Sequence, residues 1–154
     1  MESISQAEQL RVAERGEAAP YVSFPPTPRW VFPAAGAWAA ALVGAFALWR
    51  ANAALFAGAL VLLVALEVLF IAWQKRRHGA LPVPGYGRPP AEIASVWRGY
   101  VAGLVVVIGA VAVAWWLGGI AAGAAVAFVT VTAGLALYER RYAGAAARVR
   151  QRLR

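Results

Sequence analysis

Of the 154 residues, 62% are hydrophobic, and the formal net charge is +8; soluble domains average about 45–50% apolar residues. The chain has no Cys and no Asp, and one residue each of His, Lys and Asn (His78, Lys75 and Asn52). Disulfides, zinc–thiolate and iron–sulfur sites, bis-His haem binding by one chain and a Ser-His-Asp triad are therefore excluded.

A two-metal carboxylate site could draw on Glu alone. The chain is poor in the groups from which catalysis is built, so the expectation is a protein that is not an enzyme and carries no cofactor or metal. The Arg-over-Lys bias with abundant Ala and Gly resembles proteins of high-GC bacteria, which points to a bacterial plasma membrane.

The first segment, 1–29, holds Glu2, Glu8, Glu14 and Glu17 where a signal peptide would need an apolar core, so no signal peptide is expected. A short surface helix capped by Ser3 or Ser5 fits these residues. Pro20 to Pro33, with Pro25-Pro26-Thr27-Pro28, is expected to be extended, because proline fixes φ and donates no hydrogen bond. Its PxxP match reads as a stiff lead-in rather than a docking peptide.

Four apolar blocks follow, at 30–49, 53–73, 97–117 and 119–138. Each is about 20 residues long, enough to cross the ~30 Å hydrocarbon layer. The 74–96 loop opens with Lys75-Arg76-Arg77-His78 and continues through the irregular stretch Gly79 to Gly87. Pro89-Pro90 followed by Ala91-Glu92 is a helix start, so the third helix is expected to begin near Pro90, before the lipid. The Gly118-Gly119 turn divides the third block from the fourth. From Tyr138 into the basic tail, 139–154, Tyr138, Tyr142, Ala146, Val149 and Leu153 recur at helical spacing, which extends the fourth helix into the cytoplasm.

Fourteen of the fifteen Lys and Arg residues lie in 1–29, 74–98 and after 138, leaving only Arg50 in the two opposite turns. Basic residues near span ends resist translocation, which sets both termini in the cytoplasm. Trp30, Trp73, Trp97 and Tyr138 mark one membrane boundary, and Trp49, Trp115 and Trp116 the other. The expected fold class is all-α: a polytopic, multi-pass plasma-membrane protein with four transmembrane helices over 30–138. These form two antiparallel helical hairpins, N-in and C-in. The +8 charge then belongs to the cytoplasmic membrane surface, and no nucleic acid is expected as a partner.

Apolar burial does not drive association inside lipid, so close contact between small residues becomes important. Gly36, Ala40 and Gly44 form one small-residue row, Gly99 and Gly103 a second, and Gly119, Gly123 and Ala127 a third. Short outer turns require the first helix to pack on the second and the third on the fourth. Most of these rows serve contacts within the chain, with a further partner face left open.

Glu67 is the one ionisable residue deep in a block, about 9 Å from the Trp73 boundary. Thr130 and Thr132 lie at a similar depth. An intramembrane carboxylate costs several kcal/mol and is a functional hypothesis by default. Three roles are open: helix glue bonded to Thr130, Thr132 or a carbonyl, a contact with a partner's Arg, or a proton or cation site in transport. Lys75, Arg76, Arg77, Arg140, Arg141, Arg148, Arg150, Arg152 and Arg154 are expected to face anionic lipid headgroups or a partner, and His78 to make a headgroup or loop contact.

The leading expectation is a non-catalytic accessory, scaffold or assembly subunit of a larger membrane complex. The alternative is a small homodimeric proton-coupled transporter using Glu67. In size, four spans and one membrane-embedded Glu the chain is similar to small multidrug-resistance transporters, which implies a dimer with that Glu alternately binding proton and substrate. Their Glu is in the first helix, whereas this one is in the second. A ring-forming proton-translocating hairpin also carries its carboxylate in a second helix, but the second hairpin here has no matching acid.

Overall fold

The computed structural model describes residues 6–23, 26–49, 51–78 and 89–153, without the side chains of residues 6, 7, 10, 11 and 78. Arg154, Arg50, Arg88, the Ser3 or Ser5 cap, Pro25 and the Gly79 to Gly87 stretch lie outside the described residues, as does the side chain of His78. The described residues form helices and no strand. These are α1 (Gln6–Val22), α2 (Val31–Ala45) continued by a 3-10 turn (Phe46–Leu48), α3 (Ala53–His78) and α4 (Ala91–Arg152). Three are long and apolar enough to cross a membrane: Val31–Leu48, Ala53–Arg77 and Ala91–Arg152.

Local chemistry sets the helix ends. Asn52 caps α3, its Oδ1 accepting from the Leu55 amide at 3.0 Å, the bond that satisfies an orphan N–H in the first turn. Pro90 stands at the start of α4 with ψ 146°, and Glu92 follows in the first turn, where its charge complements the helix dipole. The expectation of an extended chain from Pro20 to Pro33 is corrected at both ends. Pro20 lies in the last turn of α1, and Pro33 in the first turn of α2. A proline near a helix end removes at most one backbone bond, and in the first turn none.

Gly119 interrupts α4, with φ 77° and ψ −175°, a conformation essentially restricted to glycine. Residues on its two sides then meet. The rings of Tyr100 and Tyr138 are 5.0 Å apart, and a Cβ added at Gly123 would lie 3.0 Å from that of Trp115. Farther from the break, Ile93 and Trp97 form a buried cluster with Ala145 and Ala146.

α2 packs most extensively on α4. Gly36 sits against Thr132 and Phe128, Val43 against Gly123, and Phe46 against Trp115 at 5.4 Å between centroids. α3 is held at fewer points. The Trp38 indole donates to the Leu63 carbonyl at 3.0 Å, Trp30 meets Trp73 at 5.4 Å, and Phe56 meets Phe46 and Trp49. Much of α3 is uncovered, including Val61, Leu62, Val64, Leu66, Val68 and Leu69.

The glycine rows divide sharply. Gly36 and Gly123 are buried at helix contacts, but a Cβ at Gly44, Gly99, Gly103 or Gly119 would meet nothing within 4 Å. Among the described residues those four make no close helix contact. Gly119 serves the turn, and Gly99 and Gly103 line an open groove between the arms of α4 rather than a close crossing. Alanines share the close packing, with Ala127 and Ala145 at 2% and 0% exposure.

Candidate functional site

Glu67 follows Leu63 by four residues and precedes Phe70 by three, so it shares their side of α3. Leu63 is buried, yet Glu67 is exposed. Its carboxylate has no hydrogen-bond or ion-pair partner among the described residues. Neither threonine reaches it. Thr130 donates along its own helix to the Val126 carbonyl at 2.6 Å. Thr132 is pressed against Gly36, with its hydroxyl buried and unpaired. The three polar residues that depth alone grouped together are therefore separate features.

The basic residues also divide. Lys75, Arg76, Arg77, Arg140, Arg141 and Arg148 are exposed, the Arg77 guanidinium lying over the Trp73 ring at 5.6 Å. Arg150 and Arg152 turn toward the chain itself. Arg150 donates to the Val22 carbonyl at 3.0 Å, and Arg152 pairs with Glu92 at 3.2 Å and Glu14 at 3.8 Å.

These contacts belong to a feature that the residue pattern only hinted at. α1 lies along the end of α4, where Tyr21 joins the cluster of Ile93, Trp97, Ala145 and Ala146. The Tyr142 hydroxyl donates to the Tyr21 carbonyl at 2.9 Å, and Arg15 donates to the Leu153 carbonyl at 2.9 Å. Beyond α1, the Thr27 amide donates to a Glu139 carboxylate oxygen at 3.1 Å. Burial pushes the phenol of Tyr142, which lies past the last apolar block, up to about 12. The signal was the helical recurrence of Tyr142, Ala146 and Val149, which marks a packed face without naming what covers it.

Under this strap lies a cleft of about 550 Å³, within the range of small-molecule sites. One end is apolar, formed by Phe32, Ala35, Phe70 and Leu135. The other is ringed by Tyr21, Trp97, Tyr138 and Tyr142, with Glu139 in its wall and Arg150 at its far end. Among the described residues no group of three or more His, Cys, Asp or Glu side chains could hold a metal ion.

No family model, curated protein or solved structure matches this chain. Functional assignment therefore rests on Glu67, the strap and the cleft.

Proposed function

We propose that the chain is a non-catalytic subunit of a larger membrane complex, an accessory or assembly component in a bacterial plasma membrane. In this reading four spans form two antiparallel hairpins, with Gly119 as the second outer turn and both termini in the cytoplasm. The exposed arginines face anionic headgroups on that side. The third helical segment, α3, is where another membrane protein seats.

The observation that carries the reading is Glu67. It is a carboxylate with no partner among the described residues, on a helix that they cover at few points. In a bilayer its surroundings are lipid, where an uncompensated charge costs several kcal/mol. A neighbouring helix that brings a donor to this depth removes that cost and covers the bare apolar surface of α3 at once.

Photo-crosslinking residues placed at Leu66 and Leu69 test this in the native membrane. A discrete adduct with a different protein, weakened by Glu67→Gln, is the expected result. No adduct at either position, with Glu67→Gln silent in co-purification, refutes the subunit reading. An adduct with a second copy of this chain would put two Glu67 carboxylates in one interface. That outcome replaces the subunit with the small proton-coupled transporter.

A further inference from the structure

We infer that the cleft beneath α1 binds an amphiphile whose cationic ammonium group is attached directly to its apolar tail. The inference is independent of whether a partner covers α3. It rests on how charge and apolar surface are ordered along one wall of the cleft.

That wall is the later arm of α4. Leu135, Glu139, Tyr142, Ala146 and Arg150 follow one another at spacings of three or four residues, so they lie on one face of the helix. Leu135 belongs to the apolar end, where Phe32, Ala35 and Phe70 also come from apolar blocks. One turn on is Glu139, and three turns farther is Arg150. A molecule entering from the bilayer therefore meets apolar surface first, then a carboxylate, and a guanidinium last.

Glu139 is half-buried, and its only hydrogen bond among the described residues is with the Thr27 amide. No Lys or Arg pairs with it among them. A carboxylate in a partly enclosed apolar site favours a cationic partner. The same cleft is lined by Tyr138 and Tyr142, 5.8 Å apart, and by Trp97 with Tyr21, 5.9 Å apart. Aromatic rings beside a carboxylate are the surroundings that recognise ammonium groups, through the negative faces of the rings.

The same order selects among ammonium compounds. In a phospholipid the phosphate stands between the tails and the ammonium. It would therefore fall beside Glu139, with Arg150 out of place at the far end. A single-chain ammonium has no such conflict.

The test uses the full-length protein in phosphatidylcholine nanodiscs, titrated with octyltrimethylammonium and followed by tryptophan fluorescence against empty discs. Saturable binding is expected, with octyl sulfate and octylphosphocholine binding far more weakly. Glu139→Gln keeps an acceptor for the Thr27 amide but removes the charge, and is expected to weaken binding about tenfold or more. Ala143→Trp, at an exposed position on the cleft wall, should block binding by bulk while both charged groups are retained, so one variant stays informative if the other misfolds. Octyl sulfate binding as tightly as the ammonium, octylphosphocholine doing so, or folded Glu139→Gln and Ala143→Trp proteins binding unchanged would each overturn the inference.

Discussion

Gly36 lies so close to Thr132 that a methyl group there would collide with the threonine hydroxyl and come within 2.7 Å of the Phe128 carbonyl oxygen. The α2 backbone thus rides directly on α4, the kind of contact that small residues permit inside lipid. Gly36→Ala should push the helices apart and lower stability by about 1–3 kcal/mol. Gly44→Ala is the control. Its Cβ would enter open space, so the change should be neutral or stabilise by up to about 1 kcal/mol through helix propensity. Thermal unfolding of both variants in one detergent checks the contrast; equal midpoints would remove the crossing at Gly36.

The same glycines show what the residue order could and could not reveal. Pro89-Pro90-Ala91-Glu92 and Gly118-Gly119 act through the backbone itself, so the start of α4 and its interruption were legible. The threefold and fourfold recurrence after Tyr138 also showed that the helix continues. Which glycine meets a neighbour was not legible. In a span every face is apolar, so periodicity does not distinguish packed from lipid-facing sides. That is why Gly36 and Gly44, in one row, have opposite surroundings, and why the depth of Glu67 suggested a bond to Thr132 that the structure does not contain. The strap of α1 was hidden for a different reason: its hydrogen bonds end largely on backbone carbonyls, which every sequence possesses.

Gly119→Ala tests the break in α4. At φ 77° and ψ −175° a Cβ is strained whatever space surrounds it, at a cost of about 1–3 kcal/mol. Gly103→Ala, in ordinary helix with open space around it, should lack that cost. A Gly119→Ala protein as stable as wild type would mean that the turn tolerates another conformation.

Trp38→Phe isolates the α2–α3 contact. The indole N–H donates to the Leu63 carbonyl at 3.0 Å, and phenylalanine keeps a smaller aromatic ring but loses the donor. Hydrogen bonds between helices in membranes are worth about 1 kcal/mol, so a loss of that size is expected in reversible unfolding in mixed micelles. No change would show that α3 is held by its aromatic contacts alone.

Tyr142→Phe should loosen α1. It deletes the bond to the Tyr21 carbonyl, a loss of about 1 kcal/mol, and raises protease cleavage within α1. Arg152→Gln should do less, because the Arg152 side chain and its partner Glu14 are each about half exposed, with only Glu92 more enclosed, and solvent-screened pairs contribute little. The pH dependence has a definite sign. The docked state raises the Tyr142 pKa from 10.0 to about 12, so it favours the neutral phenol. Its contribution is fully present below pH 10 and is lost as pH rises through 12. Protection of α1 should follow that course in wild type and depend less steeply on pH over the window in Tyr142→Phe.

The absence of cysteine makes the proposed orientation directly measurable. Single substitutions at Ala51 and Leu117, both exposed, fall at the two turns expected outside; Ala91 and Gln151, also exposed, fall on the side expected to be cytoplasmic. A membrane-impermeant thiol reagent applied to intact cells should label the first pair only, and permeabilised cells should show all four. The reasoning is electrostatic. Arg140, Arg141 and Arg148 cluster beyond the last apolar block, and Lys75, Arg76 and Arg77 beyond the second, where basic residues oppose transfer across the bilayer. If Leu117→Cys labels only after permeabilisation while Ala51→Cys labels in intact cells, then the Gly119 turn does not reach the outer face. The two-hairpin arrangement would then give way to one in which the Gly119 turn sits at the cytoplasmic face.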